Sequence, residues 1–317
     1  MLFAVIALVV VVVLDVIMAA LLPPLSTLRL PTATVGPSPT PRPTNTPVPT
    51  PTEVPCDGPQ WWESVGATVA PFFQSNLLTG GARSVTNFDE FRSAQQGIRD
   101  AAAALPYPPC LAGAHDDLLD TLNALLLALN VPNAQQIVAA ASLYGLPYDN
   151  VRHYYAAISD GYENLRDLIA GLEAQGVTPQ DSDLGGSIGA ARQFARFNTL
   201  DCQATRWAAT EAVSWFALVS TAGDSLTSGE VDRNQLGRVV IQLQNNGLRI
   251  EGAPFPNCMA PARADLLEAN DGLVAAIQGL LSGDSAALQQ NAAAYAQARG
   301  RLEAAIRSYI AFMNIPS

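Results

Sequence analysis

The stretch CLAGAHDDLL, residues 110–119, and the stretch CMAPARADLL, residues 258–267, share one pattern. A cysteine, two alanines, an aspartate and two leucines recur at the same positions, 148 residues apart. A second pair of matched residues lies upstream, because Trp61 and Trp207 each stand five residues after a cysteine. We interpret this repeated order of cysteine, tryptophan, cysteine and paired leucines as a tandem duplication.

The hydrophobic residues of each copy have the spacing of helices that pack side by side. From Leu111 to Leu129 the stripe positions alternate in steps of four and three, and the same steps run from Met259 to Ile277. This period places one stripe along each helix, as in near-parallel bundles. The remaining helical segments are predicted at 60–79, 87–105, 151–172, 203–222, 229–247 and 288–313.

No run of alternating β-branched residues predicts a sheet. The predicted fold class is therefore all-α, with two tandem, internally duplicated up-down bundles of about four helices each.

The chain divides by composition into five segments. Residues 1–22 are apolar, and residues 23–55 form a linker rich in proline and threonine. Proline fixes φ and removes a backbone donor, so the linker is expected to be extended. Residues 56–175 and 201–317 are the two predicted bundles, and residues 176–200 connect them.

The apolar segment 1–22 is long enough to cross a bilayer, which takes about 20 residues. Asp15 is its one charged residue. Two interpretations stay open: an uncleaved transmembrane anchor, or a signal peptide cleaved near Ala19-Ala20. The first predicts a single-pass membrane protein with an extracytoplasmic C-terminal domain, and the second predicts a secreted protein.

All 17 basic residues are arginine, and the formal net charge is −11. An acidic chain without a basic run is a poor nucleic-acid binder, because that binding needs cations that neutralise phosphate. The absence of lysine excludes Schiff-base chemistry and a P-loop. We expect the membrane, through the N-terminal helix, and an unidentified protein or small molecule as partners.

The four cysteines, Cys56, Cys110, Cys202 and Cys258, form no CxxC motif, and their spacing does not suit zinc. In an exported chain they predict two disulfides. Pairs Cys56–Cys110 and Cys202–Cys258 would each join the entrance of a first helix to the entrance of a third. Pairing between copies and free thiols are the alternatives.

A tyrosine-rich helix break distinguishes the first copy. The stretch SLYGLPYDNVRHYY, residues 142–155, holds about eleven residues that the second copy lacks. Tyrosine offers both apolar area and a hydroxyl, so this break is a candidate ligand-binding lip. The candidate ligand-binding residues are Tyr144, Tyr148, His153, Tyr154 and, on the first helix, Trp62. Alternatively, these aromatic side chains belong to the core or cover a loop.

The two histidines, His115 and His153, raise the possibility of an envelope metal-handling protein or enzyme. The string Gly113-Ala114-His115 resembles the start of the Gly-x-His-x-x-Glu motif of imelysin-like proteins. Leu118 stands where that motif has its acidic residue, so no role is taken from it. We predict no metal site, no cofactor and no catalytic residue, and expect His115 to be satisfied by water or backbone.

The stretch GGSIG, residues 185–189, matches the nucleophile-elbow expression, but no strand precedes it. We expect it to be a flexible part of the connection. The favoured function is a non-enzymatic binding, interaction or spacer module displayed at the cell surface. A metal-handling or enzymatic bundle that uses His115 or His153, and a ligand-sensing ectodomain, are the alternatives.

Overall fold

The computed structural model describes residues 56–75, 77–78, 85–139, 143, 146–199, 201–219, 232–313 and 315. These residues belong to one compact unit. The predicted membrane segment 1–22, the linker 23–55 and the candidate ligand residue Tyr144 lie outside the described residues. They stay predictions.

The first half of the described chain is helical throughout. Its helices are α1 (Gly58–Gln74), α2 (Phe88–Ala103), α3 (Ala112–Asn130), α4 (Ala134–Ala139) and α5 (Tyr148–Ala174). Asn87 caps α2, because its side chain accepts a hydrogen bond from the Glu90 backbone N–H and donates one to the Glu90 carboxylate.

The second half is also helical, apart from one small hairpin. Its helices are α6 (Ser187–Phe197), α7 (Ala204–Trp207), α8 (Arg233–Gly252), α9 (Ala260–Ser282) and α10 (Ser285–Ile310). A π-helical turn, Ala208–Ala212, extends α7, and helical residues follow it to position 219. Asn198–Thr199 pairs with Cys202–Gln203 in the hairpin. The predicted all-α class is confirmed.

The hydrophobic stripes predicted from the heptad steps are buried. In α3, Leu111, Leu118, Leu122 and Leu125 are almost inaccessible to solvent, and α5 contributes its own stripe to the same cluster. A second cluster contains Met259, Leu266, Leu273 and Ile277 of the α9 stripe, together with Leu302 and Ile306 of α10. Only the C-terminal part of the α10 stripe is fully buried. The helices therefore pack against one another through these stripes.

The cysteines pair as predicted. Cys56 is bonded to Cys110, and Cys202 is bonded to Cys258, with Cα–Cα distances of 6.1 Å and 5.8 Å. Cys56 precedes α1 and Cys110 lies in the 3₁₀ turn Pro109–Leu111 that leads into α3. Cys202 and Cys258 stand in the same relation to α7 and α9. Each bridge therefore joins two helix entrances.

The GGSIG stretch is not the flexible join that we expect from its composition. Gly185 and Gly186 both have positive φ, and α6 begins directly after them. A Cβ on Gly185 would lie 2.5 Å from the carbonyl oxygen of Phe73, so the turn is packed tightly against the end of α1. The chain needs glycine here for close approach as well as for φ.

Candidate functional site

His115 lies in an aromatic cluster at the entrance of α3. Its ring stacks on Tyr107 with centroids 4.0 Å apart and meets the edge of Trp61 at 6.4 Å. His115 is 4% exposed, and neither ring nitrogen has a hydrogen-bond partner within the described part of the chain. The nearest carboxylate oxygen, on Asp116, lies 3.9 Å from Nδ1. The expected backbone partner is therefore not found, because the ring instead packs between aromatic side chains.

Arg263 occupies the corresponding place in the first turn of α9. Its guanidinium lies 4.1 Å from the ring centroid of Phe255 and donates to the backbone oxygens of Ile250 and Glu251. The cation thus serves to pack and to cap the end of α8. Across the described ranges, no group of three or more His, Cys, Asp or Glu side chains could hold a metal ion.

Tyr148 links the two halves of the chain. It is the first residue of α5, after Pro147, and its hydroxyl donates a 2.8 Å hydrogen bond to Glu211 Oε2. Arg152, one turn later, donates to Glu211 Oε1 at 2.7 Å. Glu211 lies in the π-helical turn, a distortion often found where a helix carries a functional group.

The electrostatic environment keeps the Tyr148 hydroxyl protonated. Burial raises the pKa of Tyr148 far above its usual range, and the neighbouring Glu211 carboxylate raises that pKa further. Burial alone would lower the pKa of Arg152, but the hydrogen bond and the charge of Glu211 raise it. Tyr148 is therefore a neutral phenol beside the ion pair of Arg152 and Glu211, and its hydroxyl acts as a hydrogen-bond donor.

A cavity of about 590 Å³ lies beside Tyr148, and we call it the amide cleft. It falls within the size range of small-molecule sites. The start of α5 and the middle of α8 supply most of its walls. The described lining residues are Leu146, Pro147, Tyr148, Asp149, Asn150, Leu218, Gln242, Asn245, Asn246 and Arg249.

Asn246 is the distinctive residue of the amide cleft. It is 4% exposed, and neither its amide oxygen nor its amide nitrogen has a hydrogen-bond partner among the described residues. Asn270, buried in the same half, behaves differently: it accepts from Trp215 Nε1 and donates to the Leu243 carbonyl. An unpaired buried amide costs free energy, and both polar atoms of Asn246 are closed off from solvent, so this amide lies beneath the surface of the cavity wall.

The charges at the amide cleft are paired. Arg249 donates to Asp149 Oδ1 at 2.9 Å, and its guanidinium lies 5.2 Å from the Tyr148 ring centroid. Among the described lining residues, Asp149 and Arg249 are the charged ones. The cleft thus presents amides, one aromatic ring and a neutralised ion pair.

The four predicted ligand residues that the structure describes do not come together. Tyr148 lines the amide cleft, whereas His153 is exposed on α5. Tyr154 is buried and meets the ring of Tyr155 edge-on at 5.1 Å, and burial raises the pKa of Tyr154. Trp62 is buried and lines a different groove, and Tyr144 lies outside the described ranges.

The groove at Trp62 has a volume of about 490 Å³. Its floor consists of small residues of α1, Gly66, Ala67 and Ala70, and the Trp62 indole packs over Gly66. Glu63 and Asp183 also line it.

The residues of the amide cleft that sequence reasoning does not identify lie mainly on α8. Gln242, Asn245 and Asn246 come from the amide-rich stretch QLQNN, residues 242–246. Such a run inside an amphipathic helix is the signal that could identify them, since one of its amides must face inward.

No protein-family model matches the chain, and no curated protein or solved structure matches it. Within the described ranges, no helix combines the length and the apolar character that crossing a membrane requires.

Proposed function

We propose that this chain is a non-enzymatic, membrane-tethered binding protein whose helical part is displayed outside the cytoplasm. The apolar segment 1–22 would be the anchor, and the Pro/Thr-rich linker 23–55 would hold the helical part away from the bilayer. Two disulfides support this location, because such bonds persist in oxidising compartments. Cleavage of the segment would instead give a secreted protein with the same binding site.

The observation that carries the proposal is Asn246. A buried amide whose two polar atoms have no partner among the described residues costs free energy, and a ligand that displaces the side chains covering this amide would complete its hydrogen bonds. Its position in the wall of the amide cleft makes the cleft the best candidate for a binding site. A ligand-sensing ectodomain would use the same cleft.

We also propose that the two halves arose by duplication. Tyr107 and Phe255, Cys110 and Cys258 are each separated by 148 residues, and His115 and Arg263 stack on the matched rings. The amide cleft combines α5 of the first half with α8 of the second. Duplication would therefore have created the cleft, because one copy alone supplies only one of its two walls.

The metal-handling or enzymatic alternative has less support. His115 is enclosed by Tyr107 and Trp61, and His153 lies exposed on α5. Mutating both histidines and measuring the metal content of the full chain tests this alternative. A bound metal that both variants lose would favour it over our proposal.

Two measurements test the proposed function. A non-reducing peptide map of the full chain should show both disulfides. Protease added to intact cells should cleave the helical part, because that part is displayed outside the cytoplasm. Four free thiols and a protected helical part would contradict the location.

A low-molecular-mass extract of the same cells' surface should raise the melting temperature of the wild-type chain, because a ligand stabilises the state that it binds. The Asn246→Leu variant should not respond. An equal response of both chains would contradict binding at the amide cleft.

A further inference from the structure

Four carboxamide side chains line the amide cleft. Asn150 comes from the first turn of α5, and Gln242, Asn245 and Asn246 come from α8. Asn150 donates to the side chain of Asn133 at 2.6 Å, which fixes its orientation. Gln242 and Asn245 are exposed, whereas Asn246 is buried. The cleft therefore has amide groups at its surface and one amide, without a partner among the described residues, enclosed behind its wall.

Each carboxamide holds an acceptor oxygen and a donor NH₂ group side by side. A hydroxyl group is likewise both donor and acceptor. Two neighbouring hydroxyls of one ligand can therefore accept from the NH₂ group and donate to the oxygen of the same amide. A carboxylate or phosphate ligand would satisfy only the donor half of each amide.

The paired charges favour a neutral ligand. Asp149 and Arg249 neutralise each other at the wall, and Arg152 neutralises Glu211 behind Tyr148. A charged ligand would have to break one of these ion pairs or enter without a free counter-charge. Leu146, Pro147 and Leu218 add apolar wall that C–H groups of a ligand can contact.

We propose that the amide cleft binds a neutral polyhydroxyl ligand, namely a sugar residue, either free or within a larger glycan. This inference rests on the proposed binding function and names the ligand class for the same cleft. The volume of about 590 Å³ suits one or two sugar rings.

A peptide ligand fits this cleft less well. Peptide recognition uses a free sheet edge, an apolar groove, an aromatic-lined polyproline site or an arginine cluster. The described walls of the amide cleft come from helices and their connections, and they are dominated by amides. A short neutral peptide therefore belongs in the experiment as the competing ligand.

The experiment uses the full chain in lipid nanodiscs and isothermal titration calorimetry. The probes are neutral disaccharides of glucose, galactose, mannose and N-acetylglucosamine, the corresponding neutral polysaccharides, glucuronic acid, and a blocked penta-alanine peptide. At least one neutral saccharide should bind saturably, and glucuronic acid and the peptide should not. Tighter binding of the polysaccharide than of its disaccharide would identify a glycan as the source, and the reverse would identify a free sugar.

Three variants locate the binding. Asn246→Leu and Gln242→Leu should each weaken the binding about tenfold or more, the equivalent of one or two lost hydrogen bonds. Gln244→Leu is the matched control, because Gln244 is exposed on the same helix and is not among the described lining residues. It should leave the affinity unchanged. Gln242→Leu keeps the test decisive if Asn246→Leu fails to fold.

The proposal is overturned if no neutral saccharide binds, if glucuronic acid or the peptide binds more tightly, or if Gln242→Leu and Gln244→Leu have equal affinities. The surface extract could still raise the melting temperature of the wild-type chain, and not that of Asn246→Leu, while no saccharide has this effect. In that case the sugar assignment is wrong and the proposed binding function stands.

Discussion

Tyr148 at the start of α5 donates a 2.8 Å hydrogen bond to Glu211, in the π-helical turn 63 residues further along the chain. Replacing Tyr148 with phenylalanine removes a donor from the partly buried carboxylate of Glu211. The Tyr148→Phe variant should lose about 1.5–3 kcal/mol of unfolding free energy, the usual value of a hydrogen bond to a charged group. Chemical denaturation of the full chain measures this loss.

The matched control is Tyr309→Phe, which removes a hydroxyl from a ring that packs edge-on against Phe197. It should change the unfolding free energy by less than about 0.5 kcal/mol. Equal losses in both variants would mean that the contact between Tyr148 and Glu211 contributes nothing specific.

Asn246 and Asn270 should respond with opposite signs to the same substitution. Asn246→Leu removes an unpaired buried amide and should stabilise the ligand-free chain by about 1 kcal/mol. Asn270→Leu leaves the indole N–H of Trp215 without its acceptor and should cost about 2 kcal/mol. Denaturation midpoints of the two variants provide the comparison. A loss of stability in both would show that Asn246 is paired in solution.

The two disulfides should contribute similarly to stability. They close loops with sequence separations of 54 and 56 residues, and the loop-entropy model assigns about 4 kcal/mol to each. The double variants Cys56→Ser/Cys110→Ser and Cys202→Ser/Cys258→Ser should therefore show comparable losses in urea. A large loss from one pair alone would mean that the halves unfold independently.

Gly185 should tolerate alanine far less well than Gly176 does. Both have positive φ, but a Cβ on Gly185 would meet the Phe73 backbone, whereas one on Gly176 would meet nothing within 4 Å. Gly176→Ala should cost about 1 kcal/mol and Gly185→Ala about 3 kcal/mol or more. Both variants lose stability because alanine is strained at positive φ, and only Gly185→Ala also clashes with the Phe73 backbone. Thermal unfolding of both variants therefore separates these two losses. Equal costs would refute the tight contact.

Asp117 predicts a pH dependence of stability. Burial raises the pKa of this carboxyl, and the charges of Asp167, Asp120 and Asp116 raise it further. A raised folded-state pKa means that the folded chain binds more protons than the unfolded chain. Stability therefore falls as the pH rises from the unfolded-state pKa of Asp117 through its higher folded-state pKa.

Asp117→Asn should therefore stabilise the chain at neutral pH, by less than about 1 kcal/mol because the carboxyl is partly exposed to solvent. The gain should vanish below the usual aspartate pKa of 3.8, where the carboxyl is protonated in both states. Denaturation at pH 7 and pH 3 measures the difference. Asp116→Asn, at an exposed position beside it, is the control and should show a smaller gain at pH 7.

The helices and the disulfides were predictable because their signals are local. The steps of four and three residues determine which face of α3 and α9 is buried, and the cysteines lie at fixed positions before those helices. Helix ends were less predictable. The α1 helix ends at Gln74, five residues before the end of the predicted segment 60–79.

The amide cleft was only partly predictable. Tyr148 stands out in sequence because the tyrosine-rich break concentrates aromatic residues, but nothing local shows that it meets Glu211. That contact and the approach of Asp149 to Arg249 join residues 63 and 100 positions apart. Both contacts depend on how α5 packs against distant parts of the chain. The hydrophobic period of a single helix does not predict that packing.

The bridge between Cys56 and Cys110 has a mechanical consequence. Cys56 is the point at which the chain that comes from the linker enters the helical part, and its sulfur is joined to the start of α3. A pull on the chain before Cys56 passes through that covalent bond directly into one of the central helices. The load bypasses α1 and α2, because both lie inside the loop that the disulfide closes, so in the proposed membrane-tethered arrangement drag on the helical part would not peel these two helices away.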